Sequence, residues 1–409
     1  VKRWLVLFED EHWGALAPLT DLVPVPALAC GGSTLGSRWR SAAGLRLIGV
    51  HGAQDRPAAH AGLFDSNFPA AGDRDELLLV NAATLPGPWF ATALADVGPA
   101  RFMADERLAA ARLPAEQARP LLEADVPLPR ALAPLALPSR DVEARWIEHP
   151  WDLLAGNAAA IEAELGDGGG IRGEVDARAC LIEERRITVE AGAVIDPLAV
   201  LDARGGPIAI GAGARIRAHT LVEGPCVVGA GTELLGGRIA RSTIGPQCRI
   251  AGELEECIVQ GYANKRHHGF VGHSVIGEWV NLGALTTTSD LKNNYGNVRV
   301  WTLEGERDSG TNKLGSLIGA HVKTGIGTLL PTGASVGTGA NLFGGGIFAP
   351  KRVPSFGWWD GERMSEHEFD KFLATARHAM SRRGETLTEA VAGDLKRCFE
   401  ATRGERERG

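Results

Sequence analysis

The sequence predicts an α/β domain followed by a left-handed parallel β-helix and a helical tail, and three observations predict it. Aliphatic residues recur every six positions from about residue 185 to about residue 350. Glycine directly follows many of them. The first third of the chain carries short continuous apolar runs instead, the texture of buried parallel strands.

A chain of 409 residues exceeds one ordinary domain of about 100 to 200 residues. We divide it into a Rossmann-like α/β domain over 1–140, a linker with a helix over 141–175, the β-helix over 176–360 and C-terminal helices over 361–409. With 44% hydrophobic and 23% charged residues the composition is globular. No run of about 18 apolar residues is present to cross a bilayer, and no signal-peptide pattern opens the sequence, so the reading is cytoplasmic with no membrane partner. The six cysteines form no Cys-x-x-Cys pair and read as reduced structural thiols. A net charge of -7 with mixed signs argues against a nucleic-acid partner, which requires a basic face. Arginine far outnumbers lysine, yet five of the eight lysines fall between 265 and 351.

In the first domain, Trp4 to Phe8, Leu45 to Val50 and Leu77 to Val80 are the apolar runs that suit buried strands. Ser33 to Arg40 reads as a serine-capped helix between the first two. Six prolines between Leu113 and Arg140 exclude a long helix, so this stretch reads as an extended lid or linker. Pro150-Trp151-Asp152 then opens a helix running to about Glu164.

The repeat follows the triple glycine at 168–170. Ile210, Ile216, Val222, Val228 and Leu234 keep one register, as do Val189, Ile195 and Leu201. Ile244 with Ile250, Ile276 with Leu282, and Ile318 with Leu330, Val336 and Leu342 form further registers of the same period. Each hexapeptide supplies one short strand with an inward aliphatic residue, followed by a turn that needs a small one, as Gly211, Gly229, Gly245, Gly277, Gly319 and Gly337 supply. Three such strands close a triangular coil, and stacked coils bury an apolar column that no single repeat could bury. The repeat breaks between about Thr286 and Asn312, where asparagine and glycine mark a loop that is a natural place for an active site. From Ser365-Glu366-His367-Glu368 onward a helix should place Phe369, Phe372, Leu373 and Ala376 on one packing face.

Before the break stands Asn264-Lys265-Arg266-His267-His268-Gly269-Phe270-Val271-Gly272. Acylation of an amine requires a base that titrates near neutrality, which histidine supplies, so His267 or His268 is the candidate. A loop histidine is more often merely solvated. Its place beside a solenoid interruption is what raises the catalytic reading.

These residues, with Ile276 to Ala284, Leu291-Lys292-Asn293-Asn294-Tyr295-Gly296, Asn312-Lys313 and Pro350-Lys351, resemble bifunctional UDP-N-acetylglucosamine diphosphorylase / glucosamine-1-phosphate N-acetyltransferases, in an alternative bacterial branch. The resemblance implies an acetyl-coenzyme A-dependent acyltransferase acting on an amino-sugar phosphate, assembled as a homotrimer. It makes His267 the general base and sets Asn281, Asn294 and Tyr295 on the amino sugar. Lys313 would lie near the sugar or its phosphate, and Ala284 would contact acetyl-coenzyme A by its backbone. Lys265, in the same polar cluster, joins the substrate-binding candidates. Phe270 departs from the family, which usually has tyrosine there.

In the first domain, Phe8-Glu9-Asp10, Pro18-Leu19-Thr20 and Leu77 to Asn81 resemble sugar-phosphate nucleotidyltransferases, whose ligands are UTP and magnesium. Their glycine-rich, arginine-bearing turn is here Glu9-Asp10-Glu11-His12-Trp13-Gly14, acidic side chains that should repel a triphosphate. Val23, Val25 and Ala82-Ala83 stand where an arginine, a lysine and a magnesium-binding aspartate are expected, leaving Asp10 as a substitute ligand. The domain therefore reads as a degenerate nucleotidyltransferase, against the alternative of an active bifunctional enzyme. Two other classes compete: a non-catalytic trimeric scaffold, and a zinc carbonic anhydrase built on the five-residue offset between His268 and His273.

Overall fold

A computed structural model describes residues 2–52, 71–124 and 126–407. The chain divides into two compact units, the first made of Val1–Leu16, Leu22–Leu28 and Ser33–Glu148, the second of the remainder.

The first unit is built on a six-stranded mixed sheet. Arg46–His51, Arg3–Phe8 and Glu76–Asn81 run parallel, and Arg107–Pro114 pairs antiparallel with the last of them. Ala100–Ala104 and Ser139–Asp141 complete the far edge. Leu5 to Phe8 and Leu77 to Val80 are buried on both sheet faces, which is why these runs read as continuous rather than alternating. Two expectations need correction. The helix is Leu35–Ala43, and its cap is Thr34, whose Oγ1 accepts the Ser37 amide at 3.2 Å, not Ser33. The proline-rich stretch is folded: after the Arg107–Pro114 strand come helices Ala115–Glu123 and Leu128–Leu132, with Pro114 and Pro127 at their N-caps and Leu122, Leu128 and Leu132 buried. A proline that stands where no intrahelical amide is needed starts a helix rather than breaking one.

In the second unit, the helix Pro150–Leu165 precedes the solenoid. One face of the solenoid is a ten-stranded parallel sheet, from Gly170–Ile171 through Ile208–Ile210 and Val275–Ile276 to Arg352–Val353, one strand per coil. Every aliphatic residue of the six-residue register lies in one continuous buried core. Cys226, Cys248 and Cys257 share that column, and burial pushes each thiol up to about 12. Gly211 shows why glycine follows the inward residue: a Cβ there would sit 2.8 Å from the Ala230 amide of the next coil.

The corner between the first and second faces is also continuous. In the early coils glycines such as Gly213 and Gly231 take its left-handed conformation; later Tyr262, Trp279, His321 and Phe356 take it instead, at φ between 53° and 61°. Tyr262 and Trp279 stack at 4.2 Å, and Phe372 meets the edges of His321 and Phe356 at 5.9 and 4.9 Å. This aromatic column docks the helix Phe369–Ser381. That helix begins four residues later than expected, because Met364–Glu366 pairs as a strand with Gly357–Trp359 and buried His367 binds the Gly339 carbonyl at 3.0 Å. Among the described residues, no helix is long and apolar enough to cross a membrane.

Candidate functional site

The solenoid interruption leaves the coil after Thr287–Thr288, which still pairs with Leu329–Leu330. It carries the hairpin Arg299–Thr302 and Gly305–Asp308, and it closes where the Leu314 amide donates to the Asp290 carbonyl at 2.9 Å. The break therefore sits at the corner between the third face and the first. His267 and His268 sit at a different corner, between the second and third faces, separated from it by the strand Phe270–Gly272, a span of about 10 Å. The expectation that His267 faces the break corrects to this: the two lie one face apart.

Both histidines are exposed, and both lie in a turn between the strands Asn264–Lys265 and Phe270–Gly272. Strand alternation, which would send one inward, does not govern them. The turn stacks on the next coil, where the Leu285 amide donates to the His268 carbonyl at 2.8 Å. Ala284 is beside it; its carbonyl accepts from Gly327 at 2.8 Å, while its own N–H has no protein acceptor among the described residues.

Lys265, expected at the sugar, has its ammonium inside the coil. It pairs with Ile250 in the aliphatic column and is 2% exposed. Its Nζ donates to the carbonyls of Ala251 at 2.9 Å, His267 at 3.1 Å and Gly269 at 2.7 Å. Burial pulls its amine from near 10.5 down to about 8, which leaves it charged at neutral pH. Lys265 therefore fixes the backbone of the turn that presents the two histidines. Its neighbour Asn264 points outward and donates to Asn281 Oδ1 at 2.7 Å, so Asn281 stands on the outer surface of the second face.

Asn294, Tyr295 and Lys313 are all exposed on the interruption. Asn294 Oδ1 accepts the Gly296 amide at 3.2 Å, and Tyr295 takes φ 57° and is 71% exposed. The sequence reading gave His273 no role beyond its offset from His268. It is buried at the foot of the interruption, with Nδ1 on Asp290 at 2.7 Å and Nε2 on Glu256 at 3.1 Å. The hydrogen bond from His273 and the charge of Lys313 hold the Asp290 carboxyl below its ordinary range against the effect of burial. Both His273 nitrogens are thus occupied by carboxylates, and the only signal for this was its place directly after Gly272.

In the first unit, a cleft of about 520 Å³ is lined by Asp10, His12, Arg101, Arg107 and Glu148, among others. The acidic turn is not a free negative surface. Glu9 accepts the Val25 amide at 2.7 Å; Asp10 binds Arg107 through both oxygens at 2.5 and 2.8 Å, and Asn81 at 2.7 Å. Arg107 in turn lies 4.1 Å over the Trp146 ring. Burial alone would raise the Asp10 carboxyl, but the Arg107 hydrogen bonds and charge hold it low. A carboxylate so engaged is a poor fit to magnesium, and the expected repulsion of phosphate by Asp10 corrects to a neutralised ion pair.

Residues 5–166 match the family described as sugar nucleotidyl transferase. A bifunctional sugar-1-phosphate nucleotidylyltransferase/acetyltransferase of Sulfurisphaera tokodaii is 36% identical over 96 residues, 23% of this chain and 24% of that protein. The bifunctional protein GlmU of Methanocaldococcus jannaschii is 27% identical over 200 residues, 47% of this chain and 41% of that one. An uncharacterized acetyltransferase, YaiX, of Escherichia coli is 28% identical over 160 residues, 38% of this chain and 69% of that protein. The chain thus spans less than half the length of the first two relatives.

The role of Lys265 has a direct test. Lys265→Met keeps the column apolar but takes the ammonium from the Ala251 and His267 carbonyls and leaves the Gly269 carbonyl with only the Glu253 amide, each carbonyl left without a donor costing about 1–3 kcal/mol. The urea midpoint should fall by the equivalent of about 2–4 kcal/mol. A variant as stable as wild type would mean that the ammonium does not hold the turn.

Proposed function

We propose that this chain, a sugar nucleotidyltransferase domain followed by a hexapeptide acyltransferase β-helix, transfers an acetyl group from acetyl-coenzyme A to the amine of an amino-sugar phosphate such as glucosamine 1-phosphate, with His267 as general base. The observation that carries the reading is the turn itself. His267 is solvent-facing on a backbone clamped from inside by Lys265, next to an Ala284 N–H with no protein acceptor among the described residues. The amine nitrogen attacks the thioester carbon while a histidine ring nitrogen takes its proton. The Ala284 N–H suits the carbonyl oxygen on which negative charge develops. The carbon–sulfur bond then breaks, and the thiolate leaves to be protonated as coenzyme A.

The sugar-binding candidates Asn294, Tyr295 and Lys313 stand one corner away from His267, and Asn281 stands on the second face. We therefore place the complete site between neighbouring copies of a cytoplasmic homotrimer, the interruption of one copy meeting the histidine corner of the next. Leu285, Ile326 and Phe348, 57%, 73% and 62% exposed, supply apolar surface for such contacts.

His267→Ala should reduce acetyl transfer by about 10²- to 10⁴-fold, the usual range for a general base, with trimer mass and melting unchanged. His268→Ala should be far milder. Unchanged activity in His267→Ala removes the mechanism, and a larger loss in His268→Ala moves the role to that residue.

For the first domain we infer that nucleotidyl transfer is weak or absent. Asp10, the one substitute for the missing magnesium ligand, is already held by Arg107 and Asn81. Given UTP, magnesium and N-acetylglucosamine 1-phosphate, the protein should release little pyrophosphate; robust turnover would establish the bifunctional alternative instead.

A further inference from the structure

Outside the histidine corner, the second unit contains a groove of about 630 Å³ between the second solenoid face and the end of the helix Phe369–Ser381. Its lining includes Arg249, Arg266, Lys323, Arg382 and Arg383, together with His378, and no aspartate or glutamate. This is the reverse of the whole chain, whose net charge is -7.

Most of this charge lacks a partner. Arg249 reaches Glu233 at 3.1 Å. Lys323 donates only to the carbonyls of Trp279 at 2.6 Å and His321 at 3.3 Å, and burial pulls its amine down to about 8. Arg266, Arg382 and Arg383 have no acidic partner among the described residues, and Arg383 Nε is buried without an acceptor. Burial and the neighbouring Arg249 and Arg382 weaken the hold of Arg383 on its proton, and the charge of Glu233, which pairs with Arg249, offsets them only in part. At the edge of the groove the Tyr262 hydroxyl donates to the Glu385 carboxylate at 3.1 Å, and Glu385 keeps its charge but pairs with none of these cations among the described residues. Gathering cations in a partly dry groove is unfavourable unless an anion completes it.

We infer that this groove binds the diphosphate of a nucleotide. Several unpaired guanidinium groups with an ammonium match a group with several acceptor oxygens and more than one negative charge, and guanidinium offers paired donors to phosphate. The volume lies within the range of about 300–1,000 Å³ usual for small-molecule sites, large enough for more than a lone phosphate. Since Asn264 gives its Nδ2 to Asn281 Oδ1, Asn264 Oδ1 and Asn281 Nδ2 remain to read a hydroxyl or a base edge. Coenzyme A and uridine nucleotides both carry such a diphosphate. Asn281 is shared with the sugar site of the acyl-transfer reading, but none of the five cationic residues is assigned a role in that reaction, so binding at the cations is tested apart from turnover.

Calorimetry on the full chain tests it, with ADP, UDP, coenzyme A and inorganic pyrophosphate as probes and adenosine as the uncharged control. The diphosphates should bind, adenosine should not, and affinity should fall with added salt. The double variant Arg382→Ala/Arg383→Ala should weaken diphosphate binding by at least tenfold, since each hydrogen bond to a charged group contributes about 1.5–3 kcal/mol. Arg266→Ala, an exposed substitution on the opposite wall, should weaken it as well, which guards against misfolding of the double variant. Tighter binding of coenzyme A than ADP would identify the acyl donor as the source, and preference for UDP would identify a uridine nucleotide. Absence of diphosphate binding, equal binding of adenosine, or full affinity in both variants would overturn the inference.

Discussion

The second unit depends on one constraint: successive coils must stack in register, because apart from short corner turns each coil satisfies its backbone hydrogen bonds on the coils above and below it. Strands about 4.8 Å apart leave no freedom to slip, since a shift of one residue would turn every inward aliphatic side chain to solvent. The corners inherit this rigidity. The Leu285 amide meets the His268 carbonyl, and the Gly327 amide meets the Ala284 carbonyl, as consecutive rungs of one ladder. A catalytic group on such a corner is held by the whole stack, and chemistry that relies on orientation needs that support.

Lys265 turns the same constraint to local use. It lies six residues after Val259 and six before Val271, in the aliphatic register, so its long stem fills the column while its ammonium reaches carbonyls at the turn. The six-residue count therefore held the signal for its burial. Reading lysine by type alone sent it to the substrate instead. Likewise, the histidine pair was legible as a candidate, but its placement was not. A corner residue obeys neither strand alternation nor proximity in sequence to the break.

The solenoid was legible because its period is short and its inward position tolerates little except aliphatic residues. The first unit was less so. Its apolar runs named the strands, but whether Asp10 repels phosphate depends on Arg107, 97 residues away in sequence, and on the Trp146 ring over which Arg107 lies. Pairings at that distance leave no local pattern. Pro114 and Pro127 misled for a related reason: at a helix N-cap they are starters, while Pro120 lies inside the helix Ala115–Glu123, and only the fold tells which position each occupies.

The central claim is that the solenoid acylates an amino-sugar phosphate. Its most direct test is thiol release from acetyl-coenzyme A by the purified protein across a panel of amino-sugar phosphates and their hydroxyl counterparts. The account predicts coenzyme A release that requires the amine, is matched by acylated sugar, and is greatest with a 1-phosphate such as glucosamine 1-phosphate. Absence of amine-dependent thiol release with every member of the panel would contradict it.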